Sequence, residues 1–180
     1  GYTRDFTIYD TTDSKSVIKH IVKDMQLDEK QYKTNVVLSR ISLAKNHLQS
    51  PTAYSSNREF TMQDCFERIP EMSRIYMEYN RRLKACNAMD FDDLLFYTNT
   101  LFKKHEDVLR KYQDIFQYLL VDEYQDTNYS QYLIVKRLAE PQNRICVVGD
   151  DAQSIYSFRG ANIENILTFQ KGYESAQLFK

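Results

Sequence analysis

Two apolar runs in this chain end in acids: YLLV at 118–121 leads into Asp122 and Glu123, and RICVV at 144–148 leads into Gly149, Asp150 and Asp151. An apolar run entering paired carboxylates is either a strand ending in a solvated loop or a strand whose tip holds a metal ion and a water. In parallel α/β sheets ligands bind beyond the carboxyl ends of the strands, which is where both sets of acids fall. The Asp-Glu pair has the form of a Walker B element. In that reading the first carboxylate helps hold Mg²⁺ beside the β- and γ-phosphates, and the neighbouring acid orients and deprotonates the attacking water.

The second run continues as VVGDDAQSIYSFRGA, residues 147–161. Gln153 follows the strand exit, where a side-chain amide can sense a γ-phosphate by hydrogen bonding. Tyr156 and Phe158 lie a few residues on and have faces that can stack on unpaired bases, at about 1–3 kcal/mol per base. Packing into a core is the competing use of these two rings.

The elements that must position these residues follow from periodicity. Residues 14–88 read as helical. Val17, Ile21 and Met25 form one stripe behind Asp13 or Ser14 as N-cap, and Val37, Ile41, Ala44 and Leu48 form a second, entered through Thr34 or Asn35. Ile69, Met72, Ile75, Tyr76, Tyr79 and Leu83 form a third, with Pro70 in its first turn. The polar SPTAYSSNREFT at 50–61 reads as a mobile connection. From Met89 the pattern changes. FDDLLFYTNTLFKKH is a helix whose Asp92 and Asp93 suit the positive end of its dipole. YLLV and RICVV then fit strands buried on both faces, with a helix over roughly 130–139 between them, which makes a βαβ unit. AQLF at 176–179 is a candidate for the start of a further strand.

Composition bounds the class. With 180 residues, 42% hydrophobic and net charge −1, the chain is that of an ordinary globular protein, and its 4 Gly and 3 Pro favour long helices over a loop-rich sandwich. No apolar run approaches the ~20 residues that span a bilayer. Cys65, Cys86 and Cys146 form no C-x-x-C pair and suit a reducing cytoplasm, while His20, His47 and His105 lack metal-ligand spacing. Residues 14–88 hold 13 Lys/Arg against 8 Asp/Glu, whereas the remainder holds 11 against 17. A moderately basic part beside an acidic one is compatible with a polyanion nearby, or with a solvated helical surface.

VDEYQDTN followed by VVGDDAQSIYSFRGA resembles motifs II and III of the UvrD/Rep family of superfamily I DNA helicases. FTIYD at 6–10 and NAMDFDDLL at 87–95 are similar to segments flanking that family's inserted 1B subdomain. The resemblance implies an α/β fold, a partial RecA-like P-loop NTPase parallel sheet carrying a mostly helical inserted subdomain. Residues 1–13 would lead in from domain 1A, 14–88 would form the 1B-like subdomain, and 89–180 would form the part of 1A with motifs II and III. Asp122 would ligate Mg²⁺, Glu123 would be the general base for ATP hydrolysis, and Gln153 would contact the γ-phosphate. Tyr156 and Phe158 would face single-stranded DNA, Phe158 standing where many relatives carry Trp, and Arg159 would sit between the DNA and ATP sites. Phe91 resembles another strand-contacting aromatic, with a core role as its alternative. Asn87 is a further DNA-side candidate, and Asp92 and Asp93 are read as helix caps.

The partners so implied are ATP with Mg²⁺, single-stranded DNA and its junctions with duplex, acting in the cytoplasm with no membrane association. No glycine here, at 1, 149, 160 or 172, begins a G-x-x-x-x-G-K-[ST] phosphate loop. The chain therefore reads as a middle portion of a 3′–5′ helicase, monomeric and inactive alone. A helicase–nuclease subunit of the RecB/AddA type and a non-catalytic nucleic-acid-binding module are the alternatives.

Overall fold

A computed structural model describes residues 1–140, 142–150, 169–173 and 175–179. The chain divides into two compact units, Gly1–Phe96 and Tyr97–Lys180.

In the first unit, β1 (Thr7–Tyr9) and β2 (Ala88–Asp90) pair in parallel, with Thr7 opposite Ala88 and Tyr9 opposite Asp90. Between them runs a helical insertion: α1 (Thr11–Asp24), α2 (Thr34–Asn46), α3 (Pro51–Ser56), α4 (Arg58–Phe66) and α5 (Met72–Ala85). The segments expected to flank an insertion are thus hydrogen-bonded neighbours. Its core is the set of stripes read from the sequence. Val37, Ile41, Ala44, Ile69, Met72, Ile75, Tyr76, Tyr79 and Leu83 are all buried together with Ile18 and Ile21.

Four local expectations are corrected. The cap of α1 is Asp10, whose side chain accepts from the Thr12 and Asp13 amides, while Asp13 returns a bond to the Asp10 amide as the third residue of a capping box. Separately, the buried face of α1 runs through Ile18, Ile21 and Val22, with Val17 at its edge. Leu48 lies beyond α2 with φ 54°, and Pro70 precedes α5. The stretch 50–61 is not a mobile connection. Ser50 caps α3 by accepting from the Ala53 amide, Pro51 takes the first helical position, and Asn57 caps α4 through the Glu59 amide. Tyr54 anchors this pair, fully buried and donating to Asp64 Oδ2 at 2.7 Å. Asp64 also pairs with the buried Arg40 at 3.0 Å.

Helix α6 (Phe91–Lys104) leads to α7 (Glu106–Ile115), β3 (Leu119–Val121), α8 (Tyr129–Ala139) and β4 (Ile145–Val147). Strands β3 and β4 pair in parallel, Leu119 opposite Ile145 and Val121 opposite Val147, so the βαβ unit stands. Asn99 Nδ2 donates to the Ser130 carbonyl and hydroxyl, and Arg137 donates back to the Asn99 carbonyl at 2.8 Å, fixing α8. The strands are not buried on both faces: Leu120 is 81% exposed and Val148 59%. Among the described residues this sheet has two strands. Side chains alternate across a strand, so a helix on one face leaves the other uncovered. Residues 176–179 form no strand; a short helical turn, Phe169–Gly172, precedes them.

Candidate active site

Every residue of DEYQDTN has a local task. After Val121 the backbone makes a tight excursion. Glu123 adopts the left-handed conformation, φ 50° and ψ 40°, and the chain then turns through a 3₁₀ segment, Tyr124–Asp126. A non-glycine residue held there costs on the order of 1 kcal/mol and persists only where its surroundings over-determine it. They do so here. Asp122 Oδ1 accepts from the Glu123 amide at 2.9 Å, and the Asp126 amide donates to the Glu123 carbonyl at 2.9 Å. The Tyr124 amide donates to the Val148 carbonyl at 3.0 Å, while the Val148 amide donates to the Val121 carbonyl at 2.8 Å. Tyr124 is buried, its ring edge-on to Phe169 at 5.6 Å. Thr127 Oγ1 closes the turn on the Tyr124 carbonyl at 2.7 Å. Asn128 then caps α8, its Oδ1 accepting from the Gln131 amide in a reciprocal box with the Gln131 side chain.

The outcome is that Asp122 and Glu123 stand exposed at the end of β3, immediately beside the exit of β4. Gln125 joins the two strand ends. It is fully buried, its Nε2 donates to Glu123 Oε2 at 2.7 Å, and its Oε1 accepts from the Asp150 amide at 3.1 Å. Sequence reading missed Gln125. The available signal was an amide side chain two residues past the acid pair, inside a turn too tight for it to point far away. Asn128-x-x-Gln131 was likewise a legible capping box.

The remaining sequence candidates fall elsewhere. Gln153, Tyr156, Phe158 and Arg159 lie outside the described residues. In the first unit, Phe91 is 62% exposed among the described residues. Asn87, with φ 49°, uses both side-chain atoms on Thr3. Its Nδ2 donates to Thr3 Oγ1 at 2.6 Å, and its Oδ1 accepts from the Thr3 amide at 2.9 Å. That pairing ties the leading segment to β2. The residue that caps α6 is Asp90 rather than Asp92 or Asp93: the Asp93 amide donates to Asp90 Oδ1 at 2.8 Å, and Asp93 Oδ2 accepts from the Asp90 amide at 3.2 Å as the third residue of the box. Asp92 accepts a long bond from Asn46 Nδ2 at 3.4 Å.

The same aspartates belong to a buried charge cluster that sequence reading did not foresee. Lys45 Nζ lies 2.6 Å from Asp90 Oδ2 and 2.8 Å from Asp93 Oδ1, and the Tyr79 hydroxyl donates to Asp90 at 2.8 Å. Desolvation pushes the Asp93 carboxyl up to about 6, with Lys45 opposing. At Asp90 burial acts the same way, but the Lys45 ammonium and its hydrogen bonds prevail, and the carboxyl lies below its ordinary range.

Two parallel strand pairs, one connected through a helical insertion and the other ending in adjacent acids, make this a mixed α/β protein. The UvrD/REP helicase N-terminal domain model matches residues 1–174. The chain is 44% identical over 178 residues to the ATP-dependent DNA helicase PcrA of Bacillus subtilis (strain 168), covering 99% of this chain and 23% of that protein. It is 45% identical over 176 residues to that of Staphylococcus aureus (strain Mu50 / ATCC 700699), 98% and 23%, and 42% identical to that of Leuconostoc citreum over the same length and shares. The chain belongs to the UvrD/REP helicase family and spans about a quarter of the length of these relatives.

Proposed function

We propose that residues 1–180 carry the hydrolytic and coupling part of an ATP-dependent DNA helicase that moves 3′ to 5′ on single-stranded DNA. The observation that carries this reading is the hydrogen-bonded patch joining the ends of β3 and β4, with Asp122 and Glu123 exposed upon it. Residues 14–88 are its 1B-like subdomain and 89–180 belong to domain 1A.

Asp122 is assigned to Mg²⁺. A single exposed carboxylate suits that ion, which keeps several waters and takes further ligands from substrate phosphates rather than from an all-protein cage. Among the described residues no three His, Cys, Asp or Glu side chains are grouped for a metal. When bound, the ion neutralises charge on the phosphates. Glu123 is assigned as general base: its exposed carboxylate, oriented by Gln125, can orient a water and take its proton. Gln153 is assigned to the γ-phosphate, Arg159 to coupling, and Tyr156 and Phe158 to stacking on bases. Phe91, exposed at the start of α6, suits the same task. Asn87 fits a role in holding the strand that precedes Phe91 rather than direct contact, since its amide is occupied by Thr3. The three cysteines are unpaired, in keeping with a reducing cytoplasm. No described helix is long and apolar enough to cross a membrane.

The test is ATP turnover by the full-length protein on single-stranded DNA. Glu123→Gln should reduce kcat by at least about 10²-fold, the scale of a lost general base, while ATP still binds. Asp122→Asn should raise the Mg²⁺ concentration needed for turnover. Turnover by Glu123→Gln within twofold of the unaltered protein would refute the assignment. A nucleic-acid-binding module without chemistry would show DNA binding and no turnover in either form.

A further inference from the structure

We propose that Gln125 is a positioning residue that clamps the Glu123 carboxylate to the backbone at the exit of β4, so that the orientation of the base depends on where that exit segment lies. The inference rests on Glu123 acting as the base.

Three observations carry it. Gln125 is fully buried, yet its two amide ends reach different elements: Nε2 to Glu123 Oε2 at 2.7 Å, and Oε1 to the Asp150 amide at 3.1 Å. A buried amide so divided couples its partners, because moving either one strands a donor or acceptor away from water. Next, Glu123 is itself exposed and would sample several rotamers without this bond, so the buried amide supplies an orientation the backbone alone does not. Finally, the left-handed Glu123 backbone turns the chain so that the side chain two residues later comes back to Glu123. The strained residue and the clamp are parts of one turn.

In the full-length protein, Gln125→Leu removes both bonds, and Gln125→Glu keeps an acceptor for Asp150 while placing a second carboxylate against Glu123. Both should lower kcat about 10- to 100-fold, the range found when groups that orient functional side chains are removed, with KM for ATP within threefold. A glutamine that served only the packing of the turn would not confine the loss to kcat while leaving KM unchanged. The independent readout leaves Gln125 in place: Glu123→Ala, at an exposed side chain, should raise hydrogen exchange at the Asp150 amide severalfold. Unchanged exchange there overturns the clamp even where the Gln125 variants fail to fold. Wild-type kcat in folded Gln125 variants, alongside an inactive Glu123→Gln, overturns the clamp and spares the base. An active Glu123→Gln removes the base itself.

Discussion

Asp93 is a side chain whose ionisation its place in the sequence does not suggest. Read as a helix cap, it is the third residue of the box that Asp90 caps, and it lies against Lys45 in a site closed to water. Its carboxyl, pushed up to about 6 by burial, binds a proton in the folded chain at pH values where the unfolded chain has released it. Its contribution therefore favours folding increasingly as pH falls from about 6 toward 4, and disfavours it above that range. Carbon-detected NMR titration should place the Asp93 midpoint near 6, and Lys45→Met should move it higher still. A midpoint near 4 in the unaltered chain would contradict the burial of this cluster. Glu78 runs the other way: hydrogen bonds from Arg81 and Arg82 pull its carboxyl down to about 2, so its contribution is present above pH 4.5 and lost as pH falls toward 2. Lys45→Met also leaves Asp90 and Asp93 buried without their cation. On the scale of broken buried pairs it should cost about 3–5 kcal/mol in denaturant unfolding. The Lys45 cluster was not read from the sequence: Lys45 follows Val37 and Ile41 at helical spacing on the buried face, but a lysine was left to solvent on its residue type.

At the scale of elements, the stripes through α2 and α5 were readable because their apolar positions recur at helical spacing and meet in one core. The stretch 50–61 was not, since Ser50 and Asn57 served two readings at once: turn formers in a polar loop and N-caps of two short helices. Only the burial of Tyr54 decides between them, and burial is a property of the packed unit. Ser50→Ala should accordingly destabilise the first unit by about 1 kcal/mol, the usual worth of an N-cap. Ile75→Ala, emptying the centre of α5's buried face, should cost about 2–5 kcal/mol. An unfolding midpoint unchanged by Ser50→Ala would mean that Ser50 does not cap α3. The strands within 118–121 and 144–148 were correctly placed, whereas the burial of both their faces and the strand at 176–179 were not. An apolar run records what a strand can tolerate on each side, whereas exposure of Leu120 depends on how many layers stand around it.

For the whole molecule, the acid pair and the strand that carries it were legible because YLLVDE runs an apolar stretch directly into paired carboxylates. Gln125 was quoted with them and passed over, since its significance lies in two bonds that only folding creates. Residues 1–180 contain no phosphate-loop sequence. Positioning and electrostatic stabilisation dominate phosphoryl transfer. Expressed alone, the chain should therefore show no ATP turnover above background, and single-stranded DNA binding that is weak and falls with added salt; turnover abolished by Glu123→Gln in this length of chain would contradict that expectation. The most direct measurement of the central claim is the crystal structure of the full-length protein with Mg²⁺ and a non-hydrolysable ATP analogue. An Asp122 oxygen should enter the Mg²⁺ coordination shell, directly at about 2.0–2.1 Å or through one bound water, with the Glu123 carboxylate facing the γ-phosphate. A metal held by other side chains, with Asp122 and Glu123 turned to solvent, would contradict it.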